Sequence, residues 1–153
     1  MEEQAERESL KDGMRNVLEE ARMVIPGVQA LFGFQTMAVF NQRFDDLPAS
    51  GVGAYLAGLG LLALSIALLM APASYHRIAE RGQVSRRMID LSSRFISLGM
   101  IPLMLGLALD IYVVCLAALD DARTGAIAAL IALAIFATFW FVYPLAKRHR
   151  RIT

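Results

Sequence analysis

The chain has 153 residues, enough for one domain, and 57% of them are hydrophobic, against roughly 45–50% apolar usage in soluble domains. Its mean hydropathy is +0.51 and its formal net charge +1, so the composition is that of a membrane protein with no global basic field to attract nucleic acid. The single cysteine, Cys115, lies inside an apolar run, which excludes an intramolecular disulfide and a cysteine-rich metal site.

Residues 1–23 are polar but patterned. Leu10, Met14, Val17 and Ala21 recur at helical spacing, and Arg15 with Glu19 forms an i,i+4 pair. The expectation is a short amphipathic helix on the inner membrane surface, weakened at Gly13 by about 1 kcal/mol. No charged n-region, apolar h-region and small-residue site follow in order, so no cleaved signal peptide is expected.

A first membrane span is expected over residues 24–44. It is long enough to cross a bilayer, yet Gln29, Gln35, Thr36, Asn41, Gln42 and Arg43 interrupt its apolar residues. Polar groups are costly in lipid and face protein or water instead. Pro26 suits the first turn of a helix that begins there, and kinks one that arrives from residue 10. Asp45-Asp46-Leu47-Pro48 ends the span, and Ser50 is the expected cap of the next helix.

The second span, residues 51–73, carries no charged residue. Gly53, Ala57 and Gly60 lie along one side, and Ala54 with Gly58 makes a small-xxx-small pair, the pattern of close helix approach in lipid. Pro72 marks its expected inner end. The basic connector 74–95 turns at Gly82, with Ser85 as an N-cap, so the second and third spans project together as a helical hairpin. The third span, 96–119, contains Gly99, Pro102, Gly106 and one ionisable residue, Asp110. The fourth, 125–145, ends in Phe136, Phe139, Trp140, Phe141 and Tyr143, of which Trp140 and Tyr143 suit an inner headgroup belt. Lys147-Arg148-His149-Arg150-Arg151 follows as a basic tail.

Four spans put both termini on one side. Thirteen of the fifteen Lys and Arg residues fall on that side, in the N-terminal segment, the 74–95 connector and the tail; only Arg43 and Arg123 fall on the other. The positive-inside rule makes that side the cytoplasm. The expected fold is therefore all-α, a four-helix integral membrane bundle with N-in/C-in topology and an N-terminal amphipathic helix.

The stretches Glu20-Ala21-Arg22-Met23-Val24-Ile25-Pro26-Gly27-Val28-Gln29-Ala30-Leu31-Phe32, Asn41-Gln42-Arg43-Phe44 and Ala71-Pro72-Ala73-Ser74-Tyr75-His76-Arg77 resemble signature stretches of small bacterial four-span membrane proteins catalogued as a domain of unknown function. The resemblance covers most of residues 15–145. It implies the topology and a bacterial inner membrane, and brings no established activity.

Several groups are candidates for function. Asp110 lies just outward of the third span's midpoint, at the depth of Gln35 and Thr36 on the first. It is either a proton or cation site or a hydrogen-bonded structural aspartate, and a hydrogen bond to Gln35 or Thr36 is expected. Gly99, Leu103, Gly106 and Asp110 share one face, which lets a neighbouring helix come close. On the first span, Glu19, Arg22, Pro26, Gln29, Gly33, Thr36, Phe40 and Arg43 follow steps of three and four. In a homo-oligomer this face would line a pore, with Phe40 as a constriction; in a single bundle or a transporter cavity its polar groups would meet other helices. Gln35 and Gln42 lie on another face.

Arg22 with Glu19 or Glu20 reads as an ion pair at the inner interface. His76, beside Arg77, is either a pH sensor or a cap on the second span's carbonyls. Asp45, Asp46, Asp120 and Asp121 form an outer acidic mouth for cations or serve as loop acids and caps. The basic tail sets topology and meets anionic lipid headgroups. The sequence has no HExxH, Walker loop, GxGxxG or serine–histidine–acid constellation, and no metal set or cofactor site can be drawn from it. It points away from an enzyme. Passage of a small cation or proton through a homo-oligomer is one reading; a non-transporting scaffold that recruits a partner through its basic face is the other.

Overall fold

The structure is a computed structural model that describes residues 2–79 and 86–149, apart from the side chains of residues 2–7, 11, 43, 76, 79, 148 and 149. It is all-helical among these residues. The elements are α1 (Glu2–Ala38), α2 (Gln42–Asp45), α3 (Ala49–Ala79), α4 (Arg86–Leu119), α5 (Ala122–Ala137), a π-helical segment (Thr138–Val142) and α6 (Tyr143–His149). Among the described residues, three helical stretches are long and apolar enough to cross a membrane: Ala49–Tyr75, Arg86–Leu119 and Ala122–Lys147.

The first expected span is corrected most. A separate surface helix and a span over 24–44 are replaced by one 37-residue helix that runs through Gly13 and Pro26 and stops at Ala38. Packing explains why Gly13 does not end it: a Cβ there would stand 3.3 Å from Ile89 Cδ1, so glycine sets how closely α1 and α4 approach. Of the expected apolar stripe, Met14, Val17 and Ala21 are buried and Leu10 is half-buried, and Met88 on α4 is buried as well. The apolar part of α1, from Val24 to Ala38, is about 22 Å long at 1.5 Å per residue, shorter than the hydrocarbon core.

Beyond Ala38 the chain tightens. Phe40 N–H bonds Met37 O at 3.2 Å and Asn41 N–H bonds Ala38 O at 3.0 Å, three-residue steps that close an α-helix. Residues 39–48 then fold back into α3, with the Phe44 ring edge-on to Tyr55 at 4.9 Å. Ser50 is not the cap of α3. Gly51 and Val52 both donate to Pro48 O, and the helix starts at Ala49, two residues before the expected Gly51.

α3 runs past Pro72 to Ala79 rather than ending near it. The expected turn at Gly82 and cap at Ser85 lie outside the described residues. α3 and α4 are antiparallel and pack tightly, with Gly51 against Leu116, Gly106 against Leu62 and Gly58, and Gly99 against Leu68 and Leu69. Ser65 Oγ donates to Gly99 O at 2.9 Å across this seam. Interhelical packing and hydrogen bonds of this kind hold helices together where lipid removes the hydrophobic drive. Gly58, Gly99 and Gly106 were expected at close approaches, but the Gly53, Ala57 and Gly60 side of α3 is not part of the seam. Nothing approaches Gly53 or Gly60, and Ala57 is exposed, so that side of α3 faces outward.

Val17, Ala21, Val28, Leu62, Leu69, Ile96 and Leu103 form the core shared by α1, α3 and α4. α5 follows α4 after a short corner. Asp120 takes φ 51°, the left-handed conformation that ends a helix, and Asp121 is the N-cap of α5. Gly125 lets α5 press on α4, since a Cβ would lie 3.0 Å from Tyr112 O. Thr138 Oγ1 bonds back to Ala134 O at 2.7 Å where the π-helical turn begins, and Tyr143 N–H reaches Thr138 O. Trp140 stacks on Phe136 at 5.1 Å between centroids and packs against the core, while Tyr143 is exposed beneath Lys147.

Candidate functional site

The site is built where α1 ends. Gln35 is one turn from the end of α1, and Asp110 is about nine residues, or roughly 14 Å, before the end of α4. α1 runs parallel to α4 and antiparallel to α3, which brings Gln35, Gly58 and Asp110 to one level. Gln35 Nε2 donates to Asp110 Oδ1. Gly58 makes the meeting possible. A Cβ on it would stand 3.2 Å from Asp110 Oδ1 and 3.3 Å from Gln35 Nε2.

Tyr55 completes the site. Its hydroxyl donates to Gln35 O, a carbonyl in the last turn of α1, where helical partners run out. Gln35 is buried, and its Oε1 has no hydrogen-bond partner. Beside these groups lies a cavity of about 630 Å³, with Leu31 and Phe34 of α1, Phe44 of the connector, and Val113 and Val114 of α4 among its walls.

Of the two first-span partners expected for Asp110, the structure engages Gln35. Thr36 is exposed and turns its hydroxyl to Phe32 O at 2.8 Å. Gln29 and Gly33 are exposed as well. The long face drawn through Phe40 and Arg43 breaks at Ala38, so those two residues no longer follow its helical register. The side chains of Arg43 and His76 lie outside the described residues. The close partner of the Gly99–Gly106 face is α3, and α1 reaches Asp110 only across Gly58.

At the other end, Glu19 is paired with Arg15, Nε to Oε1 at 3.0 Å, rather than with Arg22. Arg22 and Arg77 instead border a common notch of about 290 Å³ between α1 and α3. The four loop acids do not line the large cavity. Asp121 accepts from the Arg123 and Thr124 amides at 3.1 Å each and from the Thr124 hydroxyl. That hydroxyl first, and then the two amides, hold its carboxyl below the usual carboxylate range. Asp120 is the left-handed residue at the same corner, and Asp45 and Asp46 are exposed.

Tyr55 and Gly58 were not singled out as partners of Asp110 from the sequence. A signal for them existed. Counting inward from the 47–48 and 120–121 corners sets residue 58 level with 110, and Tyr55 one turn away.

These helices and the polar group held between them define a membrane-compatible helical protein. The chain matches the family of unknown function DUF6328 over residues 2–144, and it belongs to that family. This agrees with the resemblance read from the Glu20–Phe32, Asn41–Phe44 and Ala71–Arg77 stretches. No curated protein and no solved structure matches the chain.

Proposed function

We propose that the chain is a transport protein of the bacterial inner membrane, with both termini in the cytoplasm, that passes a small cation or a proton. The observation that carries this reading is the carboxyl of Asp110, held by Gln35 inside a membrane-length helix and bordering a cavity. A carboxylate at such a depth costs roughly 2.5–3.5 kcal/mol on insertion scales, and ionisable groups kept there mark ion and proton pathways. In this reading α1 is the fourth crossing. It is short, and the connector 39–48 completes the traverse. Its exposed Gln29, Gly33 and Thr36 meet a second copy of the chain in a homo-oligomer, because these groups find no helix within the subunit.

The test is flux in proteoliposomes under an imposed proton or cation gradient, with wild type and Asp110→Asn. Wild-type flux abolished by the substitution supports the reading. Equal flux removes Asp110 from the mechanism. Absence of wild-type flux favours a non-transporting scaffold. One observation suits that second reading: α1 packs on the start of α4 where a Cβ on Gly13 would stand 3.3 Å from Ile89 Cδ1, and Arg15, Glu19, Arg86 and Arg87 are exposed nearby.

A further inference from the structure

We infer that the cavity beside Asp110 is a binding site for a lipophilic primary amine in its ammonium form, a compound with an apolar body and N–H donors on a cationic head. The inference rests on the reading of Asp110 as a cation site and names the class of cation.

Four features select this class. The groups at the Gln35–Asp110 end of the cavity present acceptors, and Asn41 is a further polar residue of the wall. Gln35 Nε2 is spent on Asp110 Oδ1, which leaves Gln35 Oε1 without a partner and the second carboxylate oxygen not engaged by Gln35. A buried acceptor without a donor costs roughly 1–3 kcal/mol, and an ammonium brings three donors. Apart from Asn41, the rest of the wall is apolar and aromatic, with Leu31, Phe34, Phe44, Tyr55, Val113 and Val114. Ring faces attract a desolvated cation within about 6 Å.

The third feature is size. About 630 Å³ falls within the range of small-molecule pockets and far exceeds a bare cation. The fourth is the mouth. Phe34 and Val114 border the cavity and are 76% and 65% exposed. Both lie within about one turn of the Gln35–Asp110 level, so the opening faces sideways, among acyl chains. A ligand that enters there must first dissolve in the bilayer, which a hydrated metal ion does not.

The test is calorimetric binding to the full chain in phosphatidylcholine nanodiscs, with empty discs subtracted. The probes are 4-phenylbutylamine, its neutral isostere 4-phenylbutanol, and tetraphenylphosphonium, a cation without N–H donors. The amine is expected to bind at least tenfold more tightly than the other two. Asp110→Asn should weaken the amine tenfold or more, and Gln35→Leu about three- to tenfold. Val114→Trp fills the mouth and leaves both polar groups intact, so it should abolish binding without lowering the unfolding temperature. Equal affinity for amine and alcohol, or amine affinity unchanged in Asp110→Asn, overturns the inference and leaves an apolar cavity that takes up any lipophile. Equal affinity for amine and phosphonium overturns the primary-amine assignment. Binding with no flux defeats the transport reading alone, and proton flux with no amine binding defeats the ligand class alone.

Discussion

The Gln35–Asp110 pair makes a quantitative claim through a double-mutant cycle. Gln35 is 8% exposed and donates one amide hydrogen to Asp110 while its side-chain oxygen, Oε1, stays unpaired. Gln35→Leu takes away the donor and leaves the carboxyl at its depth, where insertion scales assign roughly 2.5–3.5 kcal/mol. Asp110→Leu leaves a buried amide with neither end paired, at a cost of roughly 1–3 kcal/mol. The double variant removes both liabilities. It should lie within about 1 kcal/mol of wild type, because paired polar groups replaced together by apolar ones of similar shape are often neutral. Hydrogen bonds to charged groups contribute about 1.5–3 kcal/mol in proteins, whereas interhelical ones in membranes average about 0.6 and reach about 1.7. A coupling of about 1–2 kcal/mol follows. Reversible unfolding of the four proteins in mixed micelles measures it. Single effects that add to within about 0.3 kcal/mol would refute the claim that these two side chains hold α1 against α4.

Three further outcomes follow from other contacts. Gly106→Val places methyls where Leu62 Cδ2 already lies 3.2 Å and Gly58 O 3.3 Å from a Cβ. Overpacking of this kind costs about 1–3 kcal/mol, and a lower unfolding temperature checks it. Tyr55→Phe removes the hydroxyl that satisfies Gln35 O; a loss of about 1 kcal/mol should appear with faster amide exchange at residues 35–47, and unchanged exchange there counts against the cap. Asp121 is a pH-dependent cap. Its carboxyl titrates below the ordinary 3.8 in the folded chain, so its contribution is complete above that value and fades as pH falls through the lower folded one. Asp121→Asn should lower the unfolding temperature at pH 7, and the gap from wild type should narrow toward pH 3. A gap that stays constant would sink the capping argument.

The long apolar helices were legible because lipid admits backbone only when its hydrogen bonds are internal, and composition alone marks such runs. The partnership of Asp110 with the first span was legible for a related reason. Antiparallel connection through short corners fixes depth, and depth narrowed the partner to Gln35 or Thr36. The choice between them was not. The two are 100° apart on α1, and only the docking angle decides which one faces inward. The end of α1 at Ala38 was also hidden, since Val39 and Phe40 continue the apolar run. The return of residues 39–48 to Tyr55 stops the helix there, and that is a tertiary contact.

By itself, the sequence determined the helical class, the membrane-compatible lengths of three helices, and the level at which a lone carboxyl would need company. Apolar runs and a single buried charge are local properties of the chain, so they can be read locally. The tertiary structure decided which of the small residues of α3 are seams, placing Gly58 against α4 and leaving Gly53 and Gly60 open. It also decided that Gln35 turns in while Gln29, Gly33 and Thr36 turn out, and that a cavity stands beside Asp110. These are consequences of helix rotation and crossing, which depend on how whole surfaces fit and are written in no single stretch of residues.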